Sequence, residues 1–178
     1  MKKRILAFGA SNSKRSINRT LARFAAEQIS DVEIDFLDLN DFEMPLFSID
    51  REENEGIPAL AHKFLERIDH SDGIILSLAE HNGAYSAAFK NLYDWTSRIR
   101  GSVWGNKALF LLSTSPGKRG ASSVLDIASA LYERRKNRLV ARFSLPSFEE
   151  NFSREEGITD PALRSGFEAR LESFVRAL

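Results

Sequence analysis

The 178-residue chain contains no cysteine. That excludes disulfides, thiolate metal centres and cysteine nucleophiles together, and it suits a reducing compartment. Net charge is missing as well: 25 Lys and Arg are matched by 25 Asp and Glu. No basic field is present to hold nucleic acid, and no acidic field to draw a basic partner. Long apolar runs are lacking. The stretch Ile5 to Phe8, behind a basic start, is too short for a secretory signal or a bilayer span, and no later run is longer enough to cross. There is no fixed-period repeat and no low-complexity tract. The phosphate-binding glycine signatures are also absent. No Gly-x-Gly-x-x-Gly occurs, and the one Gly-Lys pair, Gly117-Lys118, runs into Arg119 without the Walker spacing. Histidine is scarce, and His62 and His70 have no ligand-like companions, so no metal site is expected. These exclusions leave the expectation of a cytoplasmic protein with residues 1–178 in one domain, away from membrane and nucleic acid.

What is present is an alternation of short apolar runs with helical patterns. Residues 4–9, 73–79 and 107–113 are nearly continuous in apolar side chains, as strands buried on both faces are. In 32–39, Val32, Ile34 and Phe36 alternate with Glu33 and Asp35, which predicts a half-wet edge strand. A weaker fifth strand is expected at 138–144. Between them, Ile17, Leu21, Phe24, Ala25 and Ile29 share a helical face. Further stripes run through Leu60 to Ile68 behind Pro58, Phe89 to Ile99, Val124 to Leu131, and Leu163 to Leu178. The last begins with Asp160 as cap and Pro161 as first residue. Residues 47–58, charged and ending Gly-Ile-Pro, read as a long surface loop.

Five strands with intervening helices predict an α/β fold, a doubly wound parallel sheet with helices on both faces. Right-handed crossovers and an edge second strand give the flavodoxin-like order 2-1-3-4-5. Ligands of such sheets bind at the carboxyl ends of the strands, near the switch point. Three polar loops leave that edge: "ASNSKRSIN" after the first strand, "AEHNGAYS" after the third and "STSPGKRGAS" after the fourth. The first is a hydroxyl-rich turn at a helix N-terminus, where unpaired N–H groups and the helix dipole favour an anion. Ser11, Ser13, Ser16 and Asn18 add side-chain donors there, and a terminal monophosphate suits this cradle better than a pyrophosphate. The plainer reading is that Ser16 or Asn18 merely caps the helix.

These loops carry a resemblance. Ala10-Ser11-Asn12-Ser13-Lys14-Arg15-Ser16-Ile17-Asn18 is similar, in frame, to the G-S-x-R-x-x-S-x-N signature of the NADPH-dependent FMN reductase family. Ala79-Glu80-His81-Asn82-Gly83-Ala84 followed by Lys90-Asn91-Leu92-Tyr93-Asp94-Trp95 resembles its second signature, P-E-Y-N-x-S then K-N-x-x-D-W. The chain departs from the pattern where Ser13 replaces arginine, Ala79 proline and His81 tyrosine. The resemblance implies FMN as cofactor and NADPH or NADH as co-substrate. Electrons would pass to a small-molecule acceptor such as a quinone, free flavin or azo compound. It implies that Ser11, Ser13, Ser16, Ile17 and Asn18 surround the FMN phosphate. Glu80, His81, Asn82 and Gly83 would line the isoalloxazine ring through backbone groups, with Ser113, Ser115 and Gly117 closing the other side. It further implies a homodimer or homotetramer, with the helix holding Phe89 and Tyr93 at the contact. A flavin-binding electron carrier or regulatory module with little NAD(P)H turnover is the alternative.

No catalytic side chain is assigned. His81 lies in the ring loop, where a general acid for quinone reduction would sit, but a plain surface histidine is the simpler reading. Tyr85 and Trp104 are expected to border an open site, and Phe89 and Tyr93 to be core or subunit contact. The basic run Tyr132 to Arg138 reads as a solvated helix end. A hydrolase triad of Ser113, Asp94 and a histidine is set aside, since no Gly-x-Ser-x-Gly elbow exists.

Overall fold

A computed structural model describes residues 2–178. In it the apolar runs become the interior of one parallel sheet. The chain runs β1 (Lys3–Ala10), α1 (Ile17–Glu27), β2 (Val32–Phe36), a 3-10 turn (Leu39–Phe42), α2 (Ile49–Glu55), α3 (Ala59–Asp69) and β3 (Gly73–Leu78). It continues through β4 (Glu80–His81), β5 (Ala84–Tyr85), α4 (Ala87–Ile99), β6 (Ala108–Thr114), α5 (Ser122–Arg134) and β7 (Leu139–Leu145). Last come α6 (Phe148–Asn151), β8 (Phe152–Ser153), β9 (Gly157–Ile158) and α7 (Pro161–Arg176). The main sheet is ordered β2-β1-β3-β6-β7 and every pair is parallel, so the five long strands stand 2-1-3-4-5 in chain order.

Side chains alternate across the pleat and fill a core on each face. Leu6, Phe8, Ile74, Leu76, Leu109 and Leu111 face α3, α4 and α5. Ile5, Ala7, Ile75, Phe110 and Leu112 face α1 and α7. β1 comes so close to α1 that a Cβ on Gly9 would lie 2.4 Å from the Arg19 amide nitrogen and 2.7 Å from its Cα. α7 starts as expected, with the Asp160 carboxylate accepting the Leu163 N–H at 2.8 Å and a proline in the first turn.

Three expectations need correction. Residues 47–58 are not simply a loop, because Ser48 caps α2 by accepting the Arg51 N–H at 3.2 Å, and Gly56 ends it at φ 77°. α2 buries no residue, so it has no apolar stripe by which its sequence would announce a helix. Trp104 does not border an opening. It is fully buried and stacks on Phe89 at 6.5 Å between ring centroids, with Tyr132 at 5.6 Å. β2 is also shorter than expected, since the Asp38 carboxylate accepts the Asn40 N–H and bends the chain into the 3-10 turn.

The K-N-x-x-D-W segment acts as a clamp on the chain between β2 and α2. Asn91 Nδ2 donates to the carbonyls of Met44 and Pro45, its Oδ1 accepts the Phe47 N–H at 2.9 Å, and Trp95 Nε1 donates to the Pro45 carbonyl at 2.7 Å. Lys90 pairs with Asp94 one turn along the same helix.

All three tyrosines of the chain, Tyr85, Tyr93 and Tyr132, sit on the α4–α5 side, and none of their hydroxyls has a hydrogen-bond partner among the described residues. Burial pushes Tyr85 up to about 12 and raises Tyr93 and, most strongly, Tyr132. Below about pH 10 the phenols are neutral in folded and unfolded chain alike; above it only the unfolded chain releases protons. The stability present below that pH is therefore lost as pH rises from about 10 toward the folded values. Urea midpoints are expected to fall across this alkaline window while native phenolate absorbance stays low. A native phenolate titration centred near the free tyrosine value would contradict the packing.

Candidate functional site

The three polar loops meet at the carboxyl edge of the sheet, and buried hydrogen bonds tie them together. Asn18, in the first turn of α1, is buried; its Nδ2 donates to the Thr114 carbonyl at 3.1 Å. Its Oδ1 accepts the Thr114 N–H at 3.1 Å and the Ser77 hydroxyl at 2.8 Å. One amide thus joins α1 to the ends of β3 and β6. Ser86, the N-cap of α4, donates its hydroxyl to the Ala10 carbonyl at 2.7 Å and accepts the Phe89 N–H at 3.2 Å. Glu80 Oε2 accepts the Val124 N–H of α5 at 3.1 Å.

The loop after β1 is folded by its own serines. Ser11 Oγ accepts the Ser13 N–H, Ser13 Oγ the Arg15 N–H, and Ser16 Oγ the Arg19 N–H at 3.1 Å. Ser16 is therefore the N-cap. Each hydroxyl takes a backbone proton as acceptor and keeps its own for donation. The Ile17 and Asn18 amides have no protein acceptor among the described residues, and α1 carries no acid in its first turn. Lys14 and Arg15 are exposed and join no ion pair among the described residues. Arg19 is engaged: it pairs with Asp38 and donates to the Lys14 carbonyl, which ties the loop to the end of β2. Burial alone would raise the Asp38 carboxyl, but the Asn40 donors and Arg19 hold it below its ordinary value.

After β3, β4 and β5 form a hairpin whose two-residue turn, Asn82 (φ 52°) and Gly83 (φ 77°), is left-handed at both positions, as a type I′ turn requires. His81 and Asn82 are exposed on it. After β6, Ser115 and Gly117 lie on the outer part of the loop. Ser113 is fully buried and donates to the Gly120 carbonyl at 2.8 Å, which Ser144 Oγ also reaches at 2.9 Å.

The structure therefore brings Ser11, Ser13, Ser16, Ile17 and Asn18 together on one loop, with Glu80 to Gly83 and with Ser115 and Gly117 on its neighbours. The side chains of Asn18, Ser113 and Glu80 turn inward and shape those loops. Tyr85 packs on Phe89 at 5.4 Å with its hydroxyl buried, and Phe89 and Tyr93 are core. Sequence reading missed Ser77, Ser86, Thr114 and Val124 as partners. Ser77 had a signal, a lone hydroxyl in an otherwise apolar strand; Ser86 had the Ser-x-x spacing of a cap. Two grooves, of about 560 and 720 Å³, flank α1, share Phe24, Glu27 and Arg154 in their walls, and include none of the expected site residues. Among the described residues no group of three or more His, Asp or Glu is placed to hold a metal ion, and no helix is long and apolar enough to cross a membrane.

The sequence model of the family described as NADPH-dependent FMN reductase matches residues 3–144, from β1 into β7. The chain belongs to that family. Among similar proteins, a probable NADPH:quinone oxidoreductase 2 of Oryza sativa subsp. japonica is 30% identical over 128 residues, covering 70% of this chain and 62% of the rice protein. The quinone reductase of Escherichia coli (strain K12) is 29% identical over 80 residues, 45% of this chain and 43% of that one. The chain thus spans about half to under two thirds of these relatives' length. Among solved structures, the flavoenzyme NAD(P)H:(acceptor) oxidoreductase FerB of Paracoccus denitrificans superposes with a TM-score of 0.74 at 23% identity, covering 98% of this chain and 96% of FerB. That likeness supports the fold. In this family member, the first signature and the half of the second at residues 79–84 fall on loops at the sheet edge, while Lys90 to Trp95 lie on α4.

The donor set fits the terminal phosphate of FMN. Three hydroxyl protons and, among the described residues, two amides without a protein acceptor and two cations outside any ion pair lie on one loop and helix start that carries no carboxylate. α5 also starts at this edge, but Glu80 already lies at its first turn. The α4 start is capped by Ser86, which also bonds the Ala10 carbonyl, so of these helix starts that of α1 is the one open to a phosphate.

Proposed function

We propose that this chain is an FMN-dependent NAD(P)H oxidoreductase, one domain over residues 1–178. It would pass electrons from NADPH or NADH to a small acceptor such as a quinone, free flavin or azo compound. The observation that carries this reading is the acid-free hydroxyl and amide cradle at the α1 start, tied by Asn18 to the end of β6 and, through the Ala10 carbonyl, to the Ser86 cap of α4. Bound FMN supplies the two-electron chemistry, accepting from the nicotinamide and delivering to the second substrate. The protein's part is to bind and orient. Ser11, Ser13, Ser16 and the Ile17 and Asn18 amides hold the phosphate, with Lys14 and Arg15 standing in for the charge that Ser13 lacks. The backbone of Glu80 to Gly83 borders the ring on one side, and Ser115 and Gly117 on the other, on a loop held by Ser113. No side chain is needed as acid or base, and exposed His81 is given no proton to move. A homodimer or homotetramer would have an apolar projection available at Leu46 and Ile49, which are 73% and 62% exposed.

The visible spectrum of the purified protein with FMN, taken before and after NADPH without oxygen, tests this. Flavin absorbance is expected to appear with the protein and bleach on NADPH. Bound flavin that stays oxidised with NADPH and NADH alike favours the electron carrier. Absence of binding removes the cofactor assignment.

A further inference from the structure

α5 has an unusual start. The residue in the cap position, Ala121, has no side-chain acceptor and stands in the left-handed region at φ 60°, following Gly120 at φ 57°. A helix start leaves N–H groups unpaired and favours negative charge. Both needs are met from 44 residues away by the Glu80 carboxylate, which accepts the Val124 N–H.

The other side of this contact is a hairpin that cannot hold its own shape. β4 and β5 contribute two residues each and pair only as Glu80 with Tyr85 and His81 with Ala84. A ribbon that short is not stable alone in water. Its geometry comes from its attachments: Ser86 Oγ to the Ala10 carbonyl at one end, and Glu80 to α5 at the other. Between them the Asn82-Gly83 turn projects toward solvent. β5 also packs against α5, where Tyr85 and Tyr132 lie near enough for each to influence the other's ionisation.

We infer that Glu80 is a positioning residue, whose carboxylate latches the hairpin to the start of α5 and so sets where the backbone of residues 81–83 stands against the flavin ring. The role rests on the FMN reading above. The same contact spaces two of the three loops around the crevice, since α5 begins where the loop after β6 ends. Glu80 acts through Val124 and leaves ring contact to the backbone.

The test compares Glu80→Ala with Glu80→Gln, whose amide oxygen still accepts the Val124 N–H. Amide hydrogen exchange is read in the apoprotein, and the FMN dissociation constant by flavin fluorescence. In Glu80→Ala, exchange at Val124 and residues 81–84 is expected to quicken about tenfold or more, with β3 and β6 unchanged as proof of folding. FMN affinity is expected to fall about tenfold, and Glu80→Gln to restore most of both. Unchanged exchange in Glu80→Ala overturns the latch. Faster exchange with unchanged FMN affinity overturns the positioning role. If Glu80→Gln exchanges like the wild type but binds FMN as poorly as Glu80→Ala, the carboxylate itself meets the cofactor, and the inference falls. A wild-type protein that does not bind FMN removes the functional reading and the flavin half of the inference, while exchange at Val124 still decides whether the latch exists.

Discussion

Gly9→Ala is expected to cost about 3 kcal/mol of stability or more, read as a Tm lowered by roughly 6–12 °C, and to take FMN binding with it. All three atoms a new Cβ would meet, at 2.4, 2.7 and 2.8 Å, belong to the backbone of Arg19 and Asn18. A side chain in the way can change rotamer, but a helix backbone must move as a body. α1 has no room to do so: Leu21, Ala22, Ala25 and Ala26 are fully buried against the sheet, and Asn18 is bonded to β6. Any shift that relieves Gly9→Ala also drags the Ile17 and Asn18 amides off the anion cradle. Thermal unfolding with and without FMN measures both effects. A variant that melts within a degree or so of the wild type would show that α1 slides freely over β1, contrary to the packing.

Asn18→Ala is the second large effect. It deletes three buried hydrogen bonds and leaves the Thr114 N–H, the Thr114 carbonyl and the Ser77 hydroxyl without partners. The loss is expected at about 2–4 kcal/mol, since each stranded buried group carries its own desolvation penalty. Asn18→Asp is the sharper control. It keeps an oxygen for Ser77 and the Thr114 N–H but turns a second oxygen toward the Thr114 carbonyl, so it should destabilise nearly as much despite similar size. Urea midpoints at unchanged m-value compare the variants. An Asn18→Asp protein as stable as the wild type would mean the Thr114 carbonyl contact carries no weight.

Legibility of the fold followed the physics of each element. The inner strands were readable because a strand covered on both faces is apolar throughout, and β2 because one wetter face imposes alternation. α7 announced its start through Asp160 and Pro161. α2 was silent because a helix that buries nothing has no periodic stripe. The hairpin of β4 and β5 was hidden by its length, although Asn82-Gly83 is a turn pair in its own right. For the site, the serines of the first loop were legible from their density before a helix. Asn18 and Glu80 were not legible in their observed roles. Their partners stand 96 and 44 residues away, and a polar residue in a loop looks the same from sequence whether it faces a ligand or a distant amide. Trp104 was misplaced for a related reason, because its burial depends on α4 and α5 closing over it together.

The solitary α2 has one more consequence. Its ties are the Ser48 cap, the Arg51 bond to the Leu46 carbonyl and an ion pair from Arg98 to Glu52, all near solvent. Such a helix belongs to the least protected part of a molecule and unravels without disturbing the rest. Asn91 and Trp95 grip the chain just before it, and α3 starts just after, so the frayed stretch is bounded at both ends. Mutation, insertion or cleavage between residues 50 and 57 therefore leaves the sheet untouched, which makes this segment the place where descendants of the fold are freest to diverge.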